Sequence, residues 1–125
     1  MKGQTAENSA FWSGLLERKF LLQYDARAAR YQFYPKPISL FTTDLALEWR
    51  AAAGTGTIVS FTEDRTRIAK GEPALLLVLA RLDEGPRVLA PIVGCRFEDL
   101  KIGIGVEFCW GETQAHPYQF QRRLF

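Results

Sequence analysis

The sequence has too few cysteines for a metal centre or a disulfide framework. Its 125 residues contain two, Cys95 and Cys109. A structural zinc site takes four nitrogen or sulfur ligands, and a disulfide framework needs several cysteine pairs. Both cysteines have apolar neighbours, so we expect buried free thiols. The small number of cysteines and the lack of a disulfide framework favour a reducing compartment, so we expect a cytoplasmic protein.

Other absences exclude whole classes of function. No apolar run is long enough to span a bilayer, and the first eight residues lack the apolar middle of a secretory signal. The single histidine, His116, precedes Pro117 in a predicted loop with no nucleophile motif near it, so we predict no catalytic residue. A net charge of +2 is too small by itself to indicate a nucleic-acid surface.

What the chain does contain is apolar and rich in strand-forming residues. Apolar residues make up 47% and aromatic residues 13%, which is typical of a folded domain. Residues 54–62 open with two glycines and continue with β-branched and aromatic side chains. Such side chains fit a pleated surface, and glycine at a strand start often marks a bulge or bend. We therefore predict a strand here, with the rest of a sheet after it.

The flanking sequence predicts two domains. Residues 1–50 should hold a helix over 8–19 capped by Asn8 or Ser9, a hairpin from 20–24 and 31–34, and an extended Pro-x-Pro segment. Residues 51–125 should hold five strands with one short helical turn between the third and fourth, which is the layout of an OB-fold barrel. The predicted strands are 54–62, 74–82, 87–93, 106–110 and 118–124, with the helical turn at 95–100.

Several short motifs, in this order and spacing, resemble the domain-of-unknown-function-35 family over nearly the whole chain. That resemblance implies a mainly β protein: an OB-fold preceded by an N-terminal helix and a rubredoxin-like zinc ribbon. The motifs are Phe11-Trp12-x-Gly14-Leu15, Pro35-x-Pro37, Gly54-x-Gly56-x-Ile58-x-Ser60-Phe61-Thr62, Leu82-Asp83-Glu84-Gly85-x-Arg87-Val88-Leu89, Val93-Gly94-Cys95 and Asp99-Leu100-Lys101-Ile102-Gly103-x-x-Val106.

The resemblance also implies a ribbon that has lost its metal. In the family, the ribbon carries one cysteine pair in the first hairpin and another just after the Pro-x-Pro. The matching positions here are Tyr24, Arg27, Ser39 and Thr42. None supplies a thiolate, so we expect a degenerate ribbon that binds no zinc. Apolar packing could then replace the metal in holding the hairpin.

In function, members of this family resemble non-catalytic partners of thiolase-type and related acyl-CoA enzymes. The resemblance implies an accessory subunit in a hetero-oligomer with a thiolase-fold enzyme, with a coenzyme A thioester as a possible ligand and no other cofactor. Helix and ribbon would then supply the docking surface, although Trp12 also fits a plain packing anchor. The candidate docking residues are Phe11, Trp12, Phe33, Tyr34, Pro35 and Pro37.

One basic loop is a candidate phosphate site. Arg65, Arg67 and Lys70 fall between the first two predicted barrel strands. Coenzyme A brings a diphosphate and a 3′-phosphate, and arginine pairs with phosphate through two parallel hydrogen bonds. A solvated polar loop is the alternative for these residues.

The sequence leaves two alternative hypotheses for the function of the whole chain. The basic loop is also where nucleic-acid-binding OB-folds contact the strand they bind, but the second and third barrel strands lack the aromatic platforms that such binding needs. A stand-alone acyl-CoA enzyme ranks last, because no residues form a nucleophile–base pair.

Overall fold

The computed structural model describes residues 8–43, 47–111 and 117–123. The chain forms two compact units. The first, here the N-terminal unit, comprises Met1–Gly54 together with Asp83–Pro86; the second, the barrel unit, comprises Thr55–Leu82 and Arg87–Phe125. Within the described ranges, no helix combines the length and apolar character that crossing a membrane requires.

The N-terminal unit consists of one helix and a three-stranded antiparallel sheet of order β2-β1-β3. The predicted helix and hairpin are present, each shorter than expected. The third strand was not predicted: residues 45–50 were expected only to lead into the first barrel strand, although apolar and polar side chains alternate over 47–50. The elements are α1 Ser9–Leu16, β1 Leu21–Asp25, β2 Arg30–Gln32 and β3 Glu48–Ala51.

The start of α1 differs from the prediction. Asn8 occupies the N-cap position, but neither it nor Ser9 caps the helix, since no side-chain cap hydrogen bond is formed there. The Asn8 side chain is instead buried, and its Nδ2 donates to the Tyr34 hydroxyl at 2.7 Å. The Asn8 side chain thus forms a hydrogen bond that joins the helix to the segment after β2 in place of a local helix cap.

Aromatic packing forms the centre of the N-terminal unit. Phe11 is fully buried. Its ring centroid lies 5.6 Å from that of Trp12, 5.1 Å from Phe20, 5.5 Å from Phe33 and 5.6 Å from Tyr34. Most of these ring pairs are edge-to-face or tilted, the arrangement that aromatic quadrupoles favour. Phe11 therefore joins the helix to the sheet and to the segment after it.

The barrel unit confirms the predicted five-stranded OB-fold. Its strands close in the order β4-β5-β6-β8-β7, with β6 and β8 parallel and the other pairs antiparallel. Inward-facing residues such as Ile58, Val78, Val106 and Phe120 are fully buried. The strands are β4 Thr55–Asp64, β5 Leu75–Leu82, β6 Arg87–Val93, β7 Gly105–Trp110 and β8 Tyr118–Arg122, and short 3₁₀ turns span Ile68–Lys70 and Phe97–Asp99.

Two residues that we expected to be buried thiols are only half-buried. Cys109 pairs with Gln119 on the face opposite the one that Phe108 packs against Phe120, and Cys95 follows the end of β6. For Cys109 the prediction was wrong because its apolar sequence neighbours point to the other side of the strand, and Cys95 lies outside any strand. Trp49, also expected in the core, is likewise half-buried.

The glycines at the start of β4 allow a close approach between strands. A Cβ on Gly56 would lie 2.6 Å from the Arg81 carbonyl oxygen, a distance that a folded chain does not tolerate. Only hydrogen on Cα lets β4 and β5 pair here. The register shift in this pair falls slightly later, between Ile58 and Ser60, which places the predicted bulge inside the strand.

We predict that Gly56→Ala destabilises the barrel by about 1–3 kcal/mol, because the new methyl group must push two paired backbones apart. Gly105→Ala is the matched control, since a Cβ there meets nothing closer than 3.5 Å. Urea unfolding followed by fluorescence measures both variants. Equal loss of stability in the two would show that the close approach at Gly56 is unimportant.

Candidate functional site

A buried carboxylate holds the loops of the N-terminal unit. Asp25 ends β1 and is 2% exposed. Its Oδ1 accepts hydrogen bonds from the backbone N–H groups of Arg27 at 2.9 Å and Ala28 at 3.1 Å. Its Oδ2 accepts from the hydroxyls of Ser39 and Thr42, each at 2.5 Å. A buried charge is tolerated only when donors of this kind replace its hydration.

The donors keep this carboxylate ionised. Hydrogen bonds from Ser39 and Thr42, followed by those from the backbone, lower the pKa of Asp25 from its ordinary value of 3.8 to about 2, although burial acts in the opposite direction. Hydrogen bonds to the charged form favour that form. Asp25 is therefore a fixed anion at neutral pH and has no free lone pair directed at a substrate.

The structure brings together only part of the degenerate ribbon positions. Ser39 and Thr42 converge on Asp25 through their side chains, whereas Arg27 contributes its backbone N–H. Tyr24 lies on the other face of β1, with its ring centroid 4.7 Å from that of Tyr31. The four side chains in the predicted ligand positions thus do not meet at one point.

This arrangement does not fit a structural zinc ion. Such an ion takes four thiolate, imidazole or carboxylate ligands in a tetrahedron. Here two of the candidate positions carry hydroxyls that already donate to the one carboxylate. Across the described ranges, no group of three or more His, Cys, Asp and Glu side chains could hold a metal.

A pair of buried glutamines reinforces the same region. Gln23 of β1 and Gln32 of β2 are register partners, and their side chains make five hydrogen bonds to each other and to the segment after β2. The glutamines bind the backbone of Lys36 through both its N–H and its carbonyl oxygen, the carbonyl oxygen of Ile38 and the N–H of Leu40. These side-chain hydrogen bonds fix the segment after β2 to the hairpin.

Sequence reasoning missed these polar residues. We expected apolar packing to replace the metal, and Phe20 and Leu22 are indeed buried. The loops, however, are held by Gln23, Gln32 and Asp25. A signal was present in β1, where Gln23 and Asp25 stand two residues apart, the spacing of one strand face.

The predicted docking residues differ in their access to solvent. Phe11 and Pro35 are buried, so they support the unit from inside. Trp12, Phe33 and Tyr34 are half-buried, and Pro37 is exposed. These four keep some surface, and their role in docking stays a prediction.

The basic loop carries its own counter-charges. Arg65 forms an ion pair with Glu63 at 2.9 Å, and Arg67 one with Glu72 at 2.6 Å. Lys70, in the 3₁₀ turn, is exposed and has no ion-pair partner within the described ranges. The structure therefore keeps the three cations on one loop, with both arginines engaged locally.

A cavity of about 310 Å³ opens in the N-terminal unit. The Arg30 guanidinium lies over the Phe41 ring at 4.0 Å on its wall. Glu84 Oε2 accepts from the Ala53 N–H at 2.8 Å, while the buried Oε1 has no hydrogen-bond partner in the described part of the chain. Asp83 and Glu84 lie in the predicted hairpin turn between β5 and β6. The lining residues are Ala29–Phe33, Leu40, Phe41, Glu84, Gly85 and Pro86.

Burial affects the two thiols similarly. It is the main cause that raises the pKa of both Cys95 and Cys109 above the ordinary value. A thiol with a raised pKa is a poor nucleophile at neutral pH. His116, to which we assigned no catalytic role, lies outside the described residues.

Comparisons with known proteins agree on the fold. The family model described as the C-terminal OB-fold domain of ChsH2 matches residues 49–111. A solved structure described as the Ltp2–ChsH2(DUF35) aldolase is similar with a TM-score of 0.83 and 21% identity over 98% of both chains. A protein of unknown function from the DUF35 family of Sulfolobus solfataricus gives a TM-score of 0.70 and 12% identity over 98% of this chain and 89% of its own. No curated protein matches the sequence.

We predict that Asp25→Asn destabilises the protein at neutral pH and that its deficit shrinks as the pH falls. Because the folded-state pKa of Asp25 is depressed to about 2, its contribution is complete above the unfolded pKa and is lost between about pH 4 and pH 2. Melting temperatures of both proteins across this range test the difference.

The matched control for this pH series is Glu98→Gln, which removes an exposed carboxylate and should change the free energy of unfolding by less than about 0.5 kcal/mol. A deficit of Asp25→Asn that stays constant from pH 7 to pH 2 would contradict the assignment of a stabilising charge.

Proposed function

The chain belongs to the family of ChsH2 C-terminal OB-fold domains, and from this premise we propose that it is a non-catalytic accessory subunit of a thiolase-like or other acyl-CoA-processing enzyme. The observation that carries the proposal is the similarity, over almost the full length of both chains, to a chain of the Ltp2–ChsH2(DUF35) aldolase. That description names two components, and this chain would be the counterpart of the ChsH2 component.

The chemistry of the described residues supports a helper more than a catalyst. Asp25 is ionised and fully engaged in holding loops, which leaves it no general-base role. Both thiols have raised pKa values. No nucleophile with an adjacent base stands out, and such a pair is the first requirement for covalent catalysis.

We assign partner contact to the N-terminal unit. Trp12, Phe33 and Tyr34 are half-buried aromatic residues, the type that is enriched in interface centres, and Pro37 is exposed beside them in the sequence. The indole Nε1 of Trp12 is buried and has no hydrogen-bond partner among the residues that the structure describes. The resulting complex would be a cytoplasmic hetero-oligomer.

The basic loop is our candidate for the coenzyme A phosphates. Lys70 is available as it stands, whereas Arg65 and Arg67 would have to share or leave their glutamate partners. Exposed ion pairs of this kind contribute only about 0–1 kcal/mol, so a phosphate can compete with them. Charge reversal at Lys70 should therefore weaken coenzyme A binding more than truncation of either arginine.

We predict that the purified protein contains no stoichiometric zinc, because hydroxyl and carboxylate groups that bond to one another have replaced the family's thiolates. Elemental analysis of protein produced in zinc-supplemented medium measures the metal content, and a strong chelator should leave the melting temperature unchanged. One zinc ion per chain would refute the metal-free ribbon.

The central prediction is a stable complex. When the chain is produced together with a thiolase-like enzyme from the same organism that is its partner, the two should co-elute, and the enzyme should lose solubility or activity without this chain. Trp12→Ala should weaken the complex by about tenfold or more, as expected for an aromatic interface anchor.

Lys101→Ala, an exposed change in the barrel unit, is the control for this experiment and should leave the affinity unchanged. An enzyme that is equally soluble and active alone, and that never co-elutes with this chain, would overturn the proposed function.

A further inference from the structure

The hairpin of β5 and β6 has an apolar outer face. Inward-facing residues such as Val78, Ala80 and Val88 are at most 1% exposed. Side chains alternate along a strand, so the intervening residues form the opposite surface, which we call the outer hairpin face. On it, Leu89 is 59% and Val93 37% exposed. Its members are the exposed Arg81, Arg87, Leu89 and Val93, the half-buried Leu75, Leu77 and Leu79, and Pro91, which is buried.

Polar residues border this face on both sides. The β4 residues paired with Leu79 and Leu77 are Ser60 and Thr62, both exposed. On the other side Val93 pairs with Gln121 of β8, whose Nε2 donates to Glu107 at 3.0 Å. A solvated face of an antiparallel sheet is normally polar throughout. An apolar stripe with a polar rim marks a surface that another molecule covers.

Two arginines stand together at one end of the stripe. Arg81 and Arg87 are direct register partners, and both are exposed. Like charges that face each other across a strand pair are destabilising. Asp83 and Glu84 lie in the turn between them, but neither guanidinium forms an ion pair with a residue in the described ranges that would offset this repulsion. An external carboxylate would remove it, and carboxylates bind arginine in a bidentate manner.

We propose that the outer hairpin face docks an acidic amphipathic segment of the partner enzyme. Apolar side chains of that segment would cover Leu79 and Leu89, and an Asp or Glu would bridge Arg81 and Arg87. The inference rests on the proposed function for the existence of the partner. It adds a second contact surface, on the barrel unit, and states the chemistry of what binds there.

Charge also argues against a second copy of this chain as the occupant. In a two-fold contact the same patch meets itself. Such a contact centred on this face would supply no acidic residue from the face itself to pair with Arg81 and Arg87. The observed charge instead complements a partner of opposite sign.

The test compares three variants with the wild type for binding to the co-purified enzyme. Leu89→Asp should weaken binding at least tenfold, and the double variant Arg81→Glu, Arg87→Glu should do the same and should lose most of the salt dependence of the association. Ile102→Asp is the matched control, because it places the same charge at an aliphatic residue that is 73% exposed in the same unit; its affinity should be that of the wild type.

Circular dichroism and melting temperature verify that each variant is folded, and Leu89→Ser replaces Leu89→Asp if the latter unfolds. If the wild type binds and both variants at the outer hairpin face bind equally well, the docking face is wrong while the proposed function stands. If the wild type itself does not bind, the proposed function fails first. A wild-type chain that dimerises alone, and that Leu89→Asp converts to a monomer, would overturn the partner assignment in favour of self-association.

Discussion

The N-terminal unit depends on one ionised carboxylate. Asp25 sits at the end of a five-residue strand and holds hydroxyls that lie 14 and 17 residues further along the chain. A structural zinc ion meets the same need with four ligands from two hairpins. Under the proposed metal-free ribbon, an anion with four donors takes this role, with the charges reversed: the chain supplies the anion at the centre and the donors around it.

This exchange changes what the unit responds to. A zinc ribbon loses its shape when the metal is removed, whereas a carboxylate centre loses its stabilisation when it is protonated. With the pKa of Asp25 near 2, that occurs far below neutral pH. The bond between Asn8 and Tyr34 and the glutamine pair extend the same fixation to the helix and the Pro-x-Pro segment. The half-buried aromatic residues are thus presented on a rigid support.

The sequence predicted the secondary structure well where a single physical rule determines it. Strand pattern and turn residues predict the five barrel strands, because β-branched runs between glycine and proline signals have few alternatives. It was less informative where side chains choose between local and distant partners. Asn8 could cap its own helix, but its side chain forms a hydrogen bond with Tyr34. Asp25 has the sequence context of a turn residue, yet it binds the hydroxyls of Ser39 and Thr42, which are distant in the sequence. Neither hydrogen bond can be predicted from the residues next to Asn8 or Asp25 in the sequence. The same holds for β3, which forms by pairing with β1.

Local sequence pattern is equally insufficient to predict which side chains of β5 and β6 face outward. The run from Leu75 to Leu79 is apolar at every position, and periodicity alone reads it as buried on both sides. In a closed barrel, however, only one face of each strand lines the core, so every second leucine must face outward. A sequence that needed only a barrel could place polar residues at those positions at no cost to the core, as β4 does with Ser60 and Thr62. Under the docking proposal, Leu79 and Leu89, which share the outer hairpin face with Arg81 and Arg87, serve binding and not folding.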